Sequence, residues 1–297
     1  MTAATTTTGY RDRPLLKAPV WTWEIPVYFF IGGVAGLCAV IAAAARAGGA
    51  DAALVRDARL IAFLGAAVSP LLLISDLGRP RRFLYMLRVF KRQSAMSVGV
   101  WTLVAFSGAV TASLALQFAG IAGPVSWVAD AIGAAMGAVL ATYTGVLLGV
   151  TAIPAWAHHV RVLPMHFGAS SLGAAASLLE LAGHRAPALN AIAIAAALAE
   201  VVVMWQLDFR GDAEIRRLFT GTGGRIARAG NICTGIAPLV LRVAAAWLPA
   251  ARLAAAALTV AGSLLTRLGW IAIGREIGQK HLTANLPRHR FRRRPHK

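Results

Sequence analysis

Charge is scarce in this chain, and acidic charge most of all. Only 14% of its 297 residues are Asp, Glu, Lys or Arg, and just 12 are acidic against 30 basic. Soluble domains carry about 25% charged residues. A chain of this length with 58% hydrophobic residues lacks the polar surface that a water-soluble globule needs. It is equally too apolar to stay solvated as a disordered chain. Cysteine is nearly absent, with Cys38 and Cys233 alone. An iron–sulphur cluster takes about four thiolates and a structural zinc site about four Cys or His ligands, so the chain predicts no Fe–S cluster and no metal centre of its own. Histidine is missing from the middle of the apolar runs: His158, His159, His166, His184, His281, His289 and His296 fall in loops, run ends or the tail. Axial haem ligands on spanning helices are therefore not expected, and the reading is haem-free.

What is present is apolar length. A membrane helix needs about 20 mostly apolar residues. Eight segments meet that length, at roughly 24–45, 58–75, 96–119, 127–153, 162–182, 186–207, 232–250 and 253–273. Segments such as Ala186–Trp205 are apolar on every face, which suits helices and not the alternating strands of a barrel. The predicted fold class is all-α, a polytopic membrane protein. The predicted organisation is a tail over 1–19, a membrane domain over 20–275 with an amphipathic basic loop at 77–94, and a polybasic tail over 276–297. The first residues lack the apolar stretch and cleavage site of a secretory signal. Small residues four apart, Gly32 with Gly36, Gly133 with Gly137 and Gly145 with Gly149, suit close helix packing in lipid. Gly221–Arg225 lacks the Lys-Ser/Thr of a phosphate loop and reads as a flexible connection.

Basic residues set the orientation. With eight spans, 23 of the 30 Lys and Arg residues fall on the side of the N-terminus and only Arg46, Arg56, Arg59, Arg185 and Arg252 on the other. Positive loops stay cytoplasmic, which places both termini in the cytoplasm of a bacterial inner-membrane protein. The loop after the second span interleaves Phe83, Leu84, Leu87 and Phe90 with Arg81, Arg82, Arg88, Lys91 and Arg92. Such a helix lies in the membrane surface and offers a basic face to lipid or to a soluble partner. The terminal Arg288–Lys297 run suits anionic membrane lipid, and no fold for nucleic-acid binding accompanies it. Inside the spans lie Glu200, Arg242 and Arg267, which read as a proton route or as a buried Glu200–arginine pair. Glu180 and Asp130, nearer span ends, are expected to be wet.

Several stretches resemble the NrfD family, the membrane subunits of polysulphide-reductase-type complexes. They are Trp21–Gly36 with Trp-x-Trp-Glu-x-Pro and Gly-Gly, Asp76-Leu-Gly-Arg-Pro-x-Arg-Phe, Tyr143-Thr-Gly-Val-Leu-Leu with Pro154-x-Trp156, and Leu163-Pro-x-x-Phe167. Arg267 with Gly274-Arg275 matches more loosely. The resemblance implies two four-helix bundles, no haem, and a site for a membrane quinone (menaquinone or ubiquinone). It also implies a ferredoxin-like iron–sulphur subunit and a molybdopterin catalytic subunit as partners. By the same resemblance Trp23, Glu24 and Tyr143 correspond to quinone-contacting positions, and a histidine common at the start of the first span is absent. Asp76 and Arg79, in the most specific of the matching stretches, complete the five quinone-contacting residues that the resemblance leads us to expect.

The residues make chemical sense of that expectation. A quinone takes two electrons and two protons. Its carbonyl oxygens need hydrogen-bond donors, as Tyr143 supplies, and titratable groups, as Glu24 and Asp76 supply. Trp21, Trp23 and Phe29 can wall the ring. The alternatives are a secondary transporter, which would favour matched broken helices in the two halves, and a passive membrane anchor.

Overall fold

The computed structural model describes Pro19 and residues 21–77, 81–209 and 219–284. The expected N-terminal tail, Arg79 and the terminal basic run lie almost wholly outside the described residues. The described chain is helical: α1 (Glu24–Ala47), α2 (Ala52–Asp76), α3 (Arg81–Met86), α4 (Ala95–Phe118), α5 (Pro124–Gly149), α6 (Pro154–His158), α7 (Val162–Leu181), α8 (Pro187–Phe209), α9 (Thr222–Thr234), α10 (Ile236–Ala244) and α11 (Ala250–Ala284). Eight spans are long and apolar enough to cross a membrane, with α9 and α10 together forming the seventh.

Local chemistry sets the ends. Asp51 accepts a hydrogen bond from the Ala53 amide and starts α2, six residues earlier than hydropathy alone suggested. Ser94 caps α4 through the Ser97 amide. Pro124 and Pro154 open α5 and α6, where a missing N–H costs nothing. Gly49 at φ +66° and Gly183 at φ +102° close the turns after α1 and α7. Pro70 lies inside α2 without breaking it.

The helices form two four-helix bundles. The first packs α1, α2, α4 and α5; the second packs α7, α8, the α9–α10 pair and α11. They meet where α1 and α5 pack against α7, and α1 reaches α11. Glycine permits the closest approach: a Cβ on Gly36 would overlap the Gly137 carbonyl, and the reverse holds for Gly137. Between the bundles, Gly145 lies against the backbone of Leu163 and Pro164. Without a hydrophobic drive between helices in lipid, such dispersion contact is what holds them.

Two expectations need correction here. Gly221–Arg225 is not a flexible connection. Gly221 precedes the first turn of α9, and Glu276 of α11 accepts a 2.8 Å hydrogen bond from the Gly223 amide, satisfying a free donor at the helix start. The seventh span therefore covers Thr222–Ala244 and not 232–250, and it is interrupted at Gly235 (φ −108°, ψ −95°).

Candidate functional site

At the N-terminal end of the first bundle, four helix ends converge: the starts of α1 and α4 and the ends of α2 and α5. Between them is a cleft lined by Trp21, Tyr28, Phe29, Asp76, Met86, Met96, Gly99 and Tyr143 among others. Its walls are mostly apolar, with the Asp76 carboxyl and the two tyrosines as polar groups. Tyr143 is buried, and its ring rests on the backbone of Gly99, where any Cβ would overlap it. Trp21 stacks on Trp156 at 5.6 Å and meets Phe29 edge-on at 6.4 Å. Trp156 is itself pinned by donating its indole N–H to the Trp270 carbonyl at 2.9 Å. The short helix α3 ends at the rim, where Met86 sits.

Of the five expected quinone-contacting residues, two line this cleft: Asp76 and Tyr143. Trp23 is 61% exposed and points out of it. Glu24 lies just outside, accepting a short hydrogen bond from the Thr22 hydroxyl, while the Thr22 amide donates to Asp76. Arg79 falls outside the described residues. Tyr28, Gly99, Met86 and Met96 line the cleft and were not singled out from the sequence. Tyr28 falls one α-helical turn after Glu24, which is the signal that could have found it. Gly99 is one glycine among 29, and nothing local distinguishes it.

A second polar group lies inside the other bundle. His166 Nδ1 is 2.9 Å from a Glu200 oxygen, and the Thr234 hydroxyl donates to Glu200 at 3.0 Å. The expected Glu200–arginine pair is not formed. Arg267 instead donates to Ser171 at 2.6 Å, to Ser263 and Ser170, and to the carbonyls of Ser263 and Phe167, with the Phe167 ring 5.0 Å away. Arg242 pairs with Glu180 at 2.8 Å. Depth separates Arg242 from Glu200: Glu200 sits level with the start of α7, where His166 is, whereas Arg242 lies at the opposite membrane end with Glu180. Arg267 is at the level of Glu200, but its guanidinium is taken up by the serines and carbonyls of α7 and α11. His166, near the start of its span as expected, is wholly enclosed. Four buried polar atoms around this cluster lack partners among the described residues: His166 Nε2, Arg267 Nε, Trp270 Nε1 and Asn231 Oδ1.

Asp130 and Glu180 are not wet. Asp130 is bound by Arg46 at 2.5 Å and by Arg59, and Glu180 by Arg242 and Arg252, each at 2.8 Å. A carboxylate taken out of water needs such pairing. Nearer the N-terminal face, His159 is also buried, its Nδ1 2.7 Å from the Ala155 carbonyl and its ring edge-on to Phe219 and Trp270. Burial pushes the imidazole below its ordinary value, and the hydrogen bond to Ala155 opposes that less strongly.

Residues 14–210 match the polysulphide reductase NrfD family. That covers about two thirds of the chain, including the cleft and the first six spans. The chain belongs to the NrfD family. No curated protein matches it. An NrfD chain is an integral membrane subunit of a redox complex, and the eight spans make this one a multi-pass membrane protein. The matched region ends before α9, so the Thr234 and Arg267 side of the second bundle lies outside it. Among the described residues no group of three or more His, Cys, Asp or Glu is placed to hold a metal.

Proposed function

We propose that this NrfD chain exchanges electrons with a membrane quinone at the α1–α2–α4–α5 cleft and anchors an iron–sulphur subunit and its catalytic partner. The convergence of Asp76 and Tyr143 on one aromatic-walled cleft, next to the basic loop, carries the reading. In it the Tyr143 hydroxyl donates to a quinone carbonyl, stabilising the charge that develops there. The Asp76 carboxyl, at the membrane boundary, passes protons between that oxygen and water. Trp21 and Phe29 hold the ring, and Glu24 relays at the rim. The basic residues Arg81, Arg88, Lys91 and Arg92 offer the partner an electrostatic seat at the same end, which suits electron delivery from outside the membrane.

The cleft measures about 50 Å³, well under the roughly 300 Å³ at which ligand pockets begin. A ring therefore enters only as Met86 and Met96 swing aside, a motion their unbranched side chains allow. Met96 is 47% exposed and free to do so.

Steady-state quinone turnover by the assembled complex tests the assignment. Tyr143→Phe removes one donor and is expected to lower turnover about 100-fold with assembly intact. Unchanged turnover in both Tyr143→Phe and Asp76→Asn rules the site out. The break at Gly235 favours a second reading, a secondary transporter. Transporters use paired breaks, however, and α2 runs through Pro70 unbroken. Solute uptake by the chain alone in vesicles would establish it.

A further inference from the structure

At the opposite membrane end of the first bundle, remote from the quinone cleft, lies a cavity of about 290 Å³. Arg46, Val55, Arg59, Gln117, Ile121 and Ala122 line it. Two guanidinium groups here share one carboxylate: Asp130 accepts from Arg46 at 2.5 Å and from Arg59 Nε at 3.1 Å, with Ser113 donating at 2.5 Å. One unit of positive charge is left over. Arg59 is 93% out of solvent contact by its 7% exposure, and its Nη1 has no hydrogen bond among the described residues. The amino end of α5, with its positive dipole pole, adds to the same sign. Gln117 contributes the reverse need, a buried Oε1 with no donor.

A ligand that answers both needs carries an anion and a hydroxyl side by side. We propose that this cavity binds the phosphodiester headgroup of an anionic phospholipid. The phosphate lies against Arg46 and Arg59, and a headgroup hydroxyl donates to Gln117 Oε1. The position fits, because the walls come from the ends of α1 and α4 and the starts of α2 and α5, at headgroup depth. Val55 and Ile121 give an apolar wall for the glycerol and acyl carbons, which a free phosphate would leave unused. The second bundle repeats the charge pattern with unrelated residues at the same membrane end. Glu180 is shared by Arg242 and Arg252 beside a cavity of about 190 Å³ that Arg185 also lines. A surplus cation next to a cavity is thus a property of this face and not of one helix junction.

The test uses the full chain without quinone, so its failure and that of the quinone site are separable. Native mass spectrometry counts phosphatidylglycerol and phosphatidylcholine retained from mixed-lipid nanodiscs. The wild type is expected to retain one more phosphatidylglycerol than Ala122→Trp, which fills the cavity and leaves both arginine–Asp130 pairs in place. Arg46→Gln is expected to weaken retention about ten-fold, the loss of one charge-assisted contact. Thermal unfolding in phosphatidylcholine alone checks that both variants fold. Equal retention by wild type and Ala122→Trp overturns the proposal, as does equal retention of the two lipids. Inorganic phosphate added to phosphatidylcholine nanodiscs should leave the unfolding midpoint unchanged. A shift equal to that given by phosphatidylglycerol overturns the lipid in favour of the free ion.

Discussion

Asp130, Glu180 and Glu200 all lie inside the bundles, and they are held in two ways. Asp130 and Glu180 are each clasped by two arginines, while Glu200 is met by His166 and Thr234. Removing one member of a buried pair leaves an uncompensated charge and costs about 3–5 kcal/mol. Asp130→Asn strands Arg59 in this way, so thermal unfolding in detergent should show a large loss, whereas Asp51→Asn at the exposed α2 cap should show a small one. His159 adds a pH dependence. Its imidazole is pushed below the ordinary value near 6.5 by burial, so the folded chain keeps it neutral while the unfolded chain takes up a proton first. The stability this contributes is present above about pH 6.5 and is lost as the pH falls through the lower, folded value. The unfolding midpoint should drop on acidification more steeply in the wild type than in His159→Phe. Sequence named Glu200 and Arg267 because each is a charged group out of place in an apolar run, and Asp76 and Tyr143 through the resemblance to the NrfD family. It missed the partners because pairing depends on depth and rotation, and two groups more than thirty residues apart, such as His166 and Glu200, meet only through helix packing.

At the scale of elements, hydropathy found the spans and erred where polarity and packing diverge. The α9 segment Thr222–Thr234 carries Arg225, Arg228 and Asn231, so its hydropathy is low. Its small residues nevertheless press on α11: Gly223 on Ile273, Gly230 on Thr266, and Ala227 on Gly269. Close approach along one side, plus the Glu276 cap, makes a helix that hydropathy read as a loop. The glycine pattern was more informative elsewhere. Gly36 and Gly137 bring α1 and α5 into backbone contact, while a Cβ at Gly108 on α4 would meet nothing within 4 Å. Gly137→Ala should therefore lower the unfolding midpoint by an overpacking cost of about 1–3 kcal/mol. Gly108→Ala should leave it unchanged or raise it, since alanine is about 1 kcal/mol better than glycine inside a helix. Equal effects of the two would mean that the α1–α5 contact is not the closest point of the bundle.

For the whole molecule, the charge asymmetry that the sequence displays carries over into the structure, although pairing at the far face is incomplete. The side away from the N-terminus has five basic residues, but Arg46, Arg59 and Arg252 are bound to Asp130 or Glu180, and Arg56 pairs with Asp57 at 3.0 Å. Only Arg185 remains without an ion pair there among the described residues, against the many basic residues of the N-terminal side. Orientation follows the count of Lys and Arg near the span ends, so the excess on the N-terminal side predicts a cytoplasmic N-terminus. Eight spans then return the C-terminus to the same side. A fluorescent protein fused after Lys297 should fluoresce, and a phosphatase that needs an oxidising compartment should be active when inserted at Gly120 and inactive after Lys297. The cleft and the basic loop lie at the N-terminal end, so the predicted orientation would put the proposed docking face in the cytoplasm. Phosphatase activity after Lys297 would turn the molecule over, carry that face to the other compartment, and require the iron–sulphur partner to be sought there.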